Sequence, residues 1–163
     1  MGSGSCTQDE WRRGDAISTM WLVSPASAQA SRGELGSPGV AATPHTIVLV
    51  EDDDGLRSAL TRILELAGYR VESFPSAEEA LAADAAGRAA CIVCDVYLPR
   101  ESGFALCRQL ARGGVHPPVI FITAHDLPNV HAEAEALGAA DLLIKPFAGR
   151  RLVEAVRAAL PSD

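Results

Sequence analysis

Five strand-like segments alternate with segments of helical periodicity between residues 46 and 160, and this alternation restricts the fold of the chain more than any other feature. The strand-like segments are 47–50, 69–74, 90–94, 119–122 and 142–144. Such alternation is typical of a parallel sheet with helices on both faces. The second segment is the most polar and therefore belongs at an edge, which, with right-handed crossovers, favours the strand order 2-1-3-4-5. The sequence therefore predicts a doubly wound α/β fold.

The helical segments carry recognisable end signals. Gly68, Gly113 and Gly138 follow the first, third and fourth helical segments, as glycine commonly follows the last turn of a helix. The sequence Ser76-Ala77-Glu78-Glu79 is a capping box that opens the second helix. We expect this second helix to continue to near Gly87.

The composition excludes several classes of protein. The 163-residue chain has a formal net charge of −7, which argues against a nucleic-acid-binding surface, because phosphate neutralisation needs clustered Lys and Arg. The chain has no run of about 18 apolar residues, so we expect no membrane-spanning helix and a cytoplasmic location. Four cysteines in a chain of this length do not form a disulfide framework.

Residues 1–45 differ in character from the rest of the chain. They are rich in Ser, Ala, Gly and Pro without periodicity, which favours a flexible N-terminal arm ahead of a domain over residues 46–163. Two alternatives stay open. The segment loosely imitates a signal peptide, although acidic residues occupy what should be its basic region. Part of the segment could also precede the native start of the protein.

Polar residues stand where four of the predicted strands end. Glu51 and Asp52 follow the first strand, and Asp95, Thr123 and Lys145 follow the third, fourth and fifth strands. In a sheet of this order, ligands bind beyond the carboxyl ends of the strands, where the strand order reverses, so we expect these side chains to lie close together. Three carboxylates at one edge cannot all stay ionised cheaply. A divalent cation would relieve this repulsion, and a small all-oxygen site favours Mg²⁺.

The same residues have a simpler interpretation if each is taken alone. The acidic run 51–54 could be only the start of a helix, since the helix dipole favours negative charge there. Lys145, however, is the single lysine beside 13 arginines, which indicates a role that a guanidinium cannot fill. The combination of the acidic run, Asp95 and Lys145 at one predicted edge favours a functional site.

Four motifs, in order and with consistent spacing, resemble the receiver domain of two-component response regulators, a family with the flavodoxin-like fold. The motifs are Ile47–Asp53, Asp95–Pro99 with Gly103, Ile122–Ala124 and Lys145–Phe147. The resemblance covers residues 46 to about 160. It implies that Asp95 accepts a phosphoryl group from the phosphohistidine of a sensor histidine kinase or a phosphotransfer protein.

The resemblance also implies a metal-binding set. Asp52, Asp95 and the backbone carbonyl of Tyr97 would bind Mg²⁺ directly. Glu51 would act mainly through a metal-bound water. The bound ion would neutralise phosphoryl oxygens and help to orient in-line attack.

Further roles follow from the same resemblance. Thr123, Ala124 and Lys145 would contact the phosphoryl group, and Lys145 would also pair with the phosphoaccepting carboxylate. Pro146 would follow a cis peptide bond that aims Lys145. Leu142 stands where the family usually has an aromatic ring that moves with the Thr, which predicts a weaker output switch.

The expected output is a contact with another protein. The chain ends directly after its fifth predicted helix, so we expect a downstream protein target rather than an effector domain. The fourth helix, fifth strand and fifth helix form a candidate surface for a weak dimer. We expect no nucleic-acid or membrane partner, and no enzymatic activity beyond self-catalysed phosphotransfer to Asp95 and autodephosphorylation. One alternative is a protein-interaction module with the receiver fold that phosphorylation does not regulate. A small hydrolase is less well supported, because the sequence shows no general base for a bound substrate.

Two further features have mainly structural interpretations. Cys91 and Cys94 spell C-x-x-C, but a separation of three on a strand places them on opposite faces, so we expect both to be small core residues. His125 follows Thr123 by two residues and could border the site, although an exposed loop position is the simpler interpretation.

Overall fold

The computed structural model describes residues 44–161, and within these residues the strands form a single parallel sheet. The strands are β1 (Thr46–Val50), β2 (Arg70–Phe74), β3 (Cys91–Asp95), β4 (Val119–Thr123) and β5 (Asp141–Ile144). Their order is β2-β1-β3-β4-β5, and every neighbouring pair is parallel. The predicted strand order and the polar edge position of β2 are therefore confirmed.

Helices connect the strands as the alternation predicted. They are α1 (Asp54–Leu66), α2 (Ala77–Ala82), α3 (Gly103–Arg112), α4 (Pro128–Ala136) and α5 (Gly149–Ala159). The predicted extent of α2 is wrong, because the α-helix ends well before Gly87. Asp84 adopts a left-handed backbone with φ 48°, which an α-helix cannot continue through, and a 3₁₀ turn over Ala85–Arg88 follows it. The Ser76 cap is present, since its hydroxyl accepts the Glu79 N–H at 3.2 Å.

The two faces of the sheet are covered by different helices. Val48 and Phe121 share one core with Phe104 of α3 and Val130 of α4. On the other face α1 and α5 contact each other, and α5 contacts β4. The central strands β3 and β4 are buried along their whole length, which explains their continuous apolar runs.

The cysteine prediction is confirmed for the strand pair. Cys91 and Cys94 are both free and buried, and only Cys94 belongs to the core that contains Val48. Burial raises the pKa of the Cys91 thiol to about 12, which makes it a poor nucleophile.

The predicted arm and its signal-peptide alternative fall almost entirely outside the described residues and stay predictions. Within residues 44–161, no helix combines the length and apolar character needed to cross a membrane.

Candidate functional site

The predicted polar residues meet at the carboxyl edge of the sheet, where the strand order reverses between β1 and β3. Lys145, directly after β5, places its Nζ 2.6 Å from Asp95 Oδ2 and 2.9 Å from Glu51 Oε2. One ammonium therefore bridges two carboxylates that come from different strands. The backbone supports this approach, because the Lys145 N–H donates to the Thr123 carbonyl at 2.7 Å. The peptide bond between Lys145 and Pro146 is cis.

Burial raises the free-energy cost of keeping the carboxylates of this cluster ionised. Glu51 is only 1% exposed and Asp95 only 6%. Burial raises the pKa of Glu51 to about 7, and Asp95 adds to the rise while Lys145 opposes it. Burial would lower the pKa of Lys145, but the Asp95 and Glu51 carboxylates raise it above its ordinary value. Lys145 is therefore a permanent cation that partly offsets the buried negative charge.

A third carboxylate completes an oxygen-rich group. Carboxylate oxygens of Glu51, Asp52 and Asp95 all lie within 4.8 Å of one another, and Asp52 is exposed to solvent. These are hard donors on one partly open face, and the excess of negative charge over the single Lys145 ammonium favours a divalent cation. The residues present therefore fit the Mg²⁺ site expected from the sequence.

Backbone groups fix the Asp95 carboxylate from a second direction. The Tyr97 N–H donates to Asp95 Oδ1 at 2.8 Å, so both oxygens of Asp95 accept a hydrogen bond. Behind it, a Cβ built on Gly103 would lie 2.3 Å from the Asp95 carbonyl oxygen, which shows how closely the start of α3 packs on β3. Gly103 was part of a sequence motif, but its packing role could not be deduced from the motif.

The predicted phosphoryl-contacting residues line the end of β4. Thr123 is fully buried, and its Oγ1 accepts the His125 N–H at 3.1 Å. Ala124, the next residue, is exposed. His125 is both exposed and next to the site, since its ring meets the edge of the Tyr97 ring with centroids 5.0 Å apart. Leu142 is half-buried and packs against the core on the α3–α4 side of the sheet.

Sequence reasoning missed one residue of the site. Arg57 of α1 donates from Nη1 to the Glu51 carbonyl at 2.8 Å and approaches the Asp52 carbonyl at 3.5 Å. Its other terminal nitrogen pairs with the Asp54 carboxylate. The only sequence signal was the i, i+3 spacing of Asp54 and Arg57, which is common on helix surfaces.

Fold and site together define a doubly wound α/β domain with an acidic, lysine-containing site at the carboxyl ends of its strands. A family model described as the response regulator receiver domain matches residues 47–157. The chain therefore belongs to this family and contains a receiver domain of two-component response regulators, as the resemblance predicted. Receiver domains act with histidine kinases or phosphotransfer proteins, and they generally use Mg²⁺.

Two curated relatives are longer than the segment that matches this chain. Nodulation protein W of Bradyrhizobium diazoefficiens is 40% identical over 133 residues, which make up 81% of this chain and 58% of that protein. The transcriptional regulatory protein FixJ of Azorhizobium caulinodans is 40% identical over 112 residues, 69% of this chain and 53% of that protein. The chain thus spans somewhat more than half the length of these relatives. Among solved structures, Vibrio cholerae chemotaxis protein CheY4 aligns with a TM-score of 0.68 at 28% identity, covering 72% of this chain and 100% of that chain.

Proposed function

We propose that the domain accepts a phosphoryl group on Asp95 from the phosphohistidine of a sensor histidine kinase or phosphotransfer protein. The observation that carries this proposal is the pair of contacts that hold the Asp95 carboxylate, 2.6 Å from Lys145 Nζ and 2.8 Å from the Tyr97 N–H. Both contacts orient the carboxylate at the carboxyl edge of the sheet, beside the exposed Asp52.

The transfer is a displacement at phosphorus. A carboxylate oxygen of Asp95 forms the new O–P bond, the P–N bond of the donor phosphohistidine breaks, and the imidazole leaves with the electron pair of that bond. Lys145 is close enough for its ammonium to stabilise negative charge first on the Asp95 carboxylate and then on the phosphoryl oxygens. The Thr123 hydroxyl can donate its own proton to a phosphoryl oxygen while its Oγ1 still accepts the His125 N–H, and the next residue, Ala124, is exposed beside it.

The same residues explain why transfer would depend on a divalent cation. Glu51, Asp52, Asp95 and the Tyr97 carbonyl would hold Mg²⁺, which, when bound, supplies positive charge to the phosphoryl oxygens. Asp52 is the exposed member of the acidic group, so it offers a ligand that does not have to leave the Lys145 ion pair.

The proposed output is a changed contact with a downstream protein, and the surface of α4, β5 and α5 is the candidate for that contact or for a weak dimer. The negative net charge of the chain makes a direct phosphate-backbone contact unfavourable. No catalysis beyond phosphotransfer to Asp95 and its later hydrolysis is proposed.

Intact-mass measurement with acetyl phosphate and Mg²⁺ tests the phosphoacceptor. The wild-type protein should gain the mass of one phosphoryl group, and Asp95→Asn should gain none. Asp84→Asn is the matched control, because it makes the same chemical change at an exposed position where Asn tolerates the left-handed backbone. A wild-type protein that stays unmodified would point instead to an interaction module that phosphate does not regulate.

A further inference from the structure

Three candidate features lie outside the roles assigned so far. Cys94 and Cys107 both belong to the region around α3, but burial raises the pKa of each thiol and neither is poised to react. Tyr97 and Leu127 are exposed, but nothing within residues 44–161 indicates what would bind to them. Arg57 is different, because its contacts are specific and all of them reach the segment that carries the metal-binding carboxylates.

We infer that Arg57 is a positioning residue that holds the acidic segment Glu51–Asp54 in its metal-binding geometry. The inference rests on the proposed Mg²⁺ site. Arg57 acts through the backbone, since its guanidinium bonds the carbonyls of the residues that provide two of the three carboxylates.

The geometry of the contacts needs the fork of a guanidinium. One terminal nitrogen of Arg57 lies 2.8 Å from the Glu51 carbonyl and 3.5 Å from the Asp52 carbonyl, while the other pairs with Asp54. The side chain is held in place, being only 18% exposed, whereas that of Asp54 is 88% exposed. A lysine could reach one of these partners but could not bridge all three.

Other contacts leave the Asp52 end of the segment dependent on Arg57. Asp53 is fixed by two bonds, since its N–H donates to Glu51 Oε1 at 3.2 Å and its carboxylate caps α1 at Leu56 N at 2.8 Å. Glu51 is fixed by Lys145 and by its own N–H, which donates to the Phe74 carbonyl at 3.1 Å. The Asp52 carboxylate is exposed, and within residues 44–161 Arg57 is the side chain that reaches its backbone, at 3.5 Å from the Asp52 carbonyl.

Positioning and simple charge make opposite predictions for this residue. Arg57 is a cation close to a cation site, so if only its charge mattered, removing it would tighten Mg²⁺ binding. If it positions the ligands, removing it would weaken binding, because outer-shell partners of metal ligands typically contribute about 10-fold or more to affinity. The sign of the change therefore separates the two explanations.

The test is calorimetric titration of Mg²⁺ into the full chain, with the wild type, Arg57→Gln, Arg57→Lys and Arg62→Gln. Arg62 is the matched control, because it lies on the same helix, is exposed, and forms no ion pair within residues 44–161. We expect Arg57→Gln to weaken binding about 10-fold, Arg57→Lys to weaken it less, and Arg62→Gln to change it by less than about twofold. Amide NMR shifts of Glu51 and Asp52 should move in both Arg57 variants before Mg²⁺ is added.

Each outcome decides the inference. Tighter or unchanged Mg²⁺ binding by Arg57→Gln, or wild-type binding by Arg57→Lys, would overturn the positioning role while leaving the proposed function intact. If Arg57→Gln fails to fold, Arg57→Lys, which keeps the charge, decides by the same criterion. A wild-type protein that binds no Mg²⁺ and accepts no phosphoryl group would overturn the proposed function, and the Arg57 inference with it.

Discussion

Gly103→Ala should damage both the stability of the domain and the reactivity of Asp95. The added Cβ would lie 2.3 Å from the Asp95 carbonyl oxygen and 2.8 Å from Cys94 Sγ. Relief to ordinary van der Waals separation requires the start of α3 or the end of β3 to move by about 1 Å. The obstacle is mainly backbone, so rotation of a flexible side chain cannot provide this relief.

The magnitude follows from two opposing effects. Overpacking of this kind typically costs about 1–3 kcal/mol, whereas alanine gains at most about 1 kcal/mol over glycine in a helix. We therefore expect a net loss of about 1–2 kcal/mol in the free energy of unfolding. Phosphorylation should slow by at least about 10-fold, because a displacement of about 1 Å in a reacting group can cost about 100-fold in rate.

Urea unfolding and the rate of phosphorylation by acetyl phosphate measure the two effects. Gly87→Ala is the control, because the nearest atom to its built Cβ is Asp84 Oδ1 at 3.6 Å, an ordinary contact. That variant should be as stable as the wild type or slightly more stable. A Gly103→Ala protein that keeps both wild-type stability and wild-type rate would refute the close packing of α3 against Asp95.

Three further predictions concern the site. Burial raises the pKa of Glu51 from 4.5 to about 7, so ionising this carboxylate destabilises the folded state increasingly as the pH rises from 4.5 to 7. At pH 8 in EDTA, Glu51→Gln should therefore stabilise the protein by up to about 3 kcal/mol, measured by urea unfolding. A destabilised variant would contradict this prediction. Lys145→Arg should still bind Mg²⁺ in calorimetry but should be phosphorylated slowly, because a planar guanidinium cannot repeat the close contacts of one ammonium with two buried carboxylates. Phosphorylation at the wild-type rate would show that the site does not need a lysine. Because Leu142 has no aromatic ring to relocate, the phosphoryl mimic beryllofluoride should change NMR shifts mainly around Asp95 and Thr123. Changes that spread across residues 148–160 would show that Leu142 switches as well as an aromatic residue does.

The features of the fold that depend on the hydrophobic pattern of the sequence were predictable. Alternation of buried runs with helical periodicity predicted the order of elements, and the polar sequence of β2 predicted its place at an edge. The length of α2 was not predictable in the same way. A capping box marks where a helix starts, but its end depended on the left-handed backbone of Asp84, for which the sequence carries no strong signal.

Site residues were predictable where a strand ended in a polar side chain. Topology brings the carboxyl ends of parallel strands together, so Glu51, Asp95 and Lys145 could be grouped before any distance was known. Hydrogen-bond partners that depend on side-chain rotamers were not predictable. The sequence could not show that Lys145 also bonds Glu51, or that Arg57 reaches back from α1 to the backbone of the acidic segment.

Locating the phosphoryl group is the most direct test of the proposed chemistry. The protein is treated with acetyl phosphate and Mg²⁺, the acyl phosphate is reduced with borohydride, and tandem mass spectrometry then identifies the reduced residue. We expect reduction at Asp95 alone, since both of its carboxylate oxygens are held beside Lys145 and the Tyr97 N–H. Reduction at Asp52 or Asp53 in place of Asp95, or no reduced residue at all, would contradict the assignment of Asp95 as the phosphoacceptor.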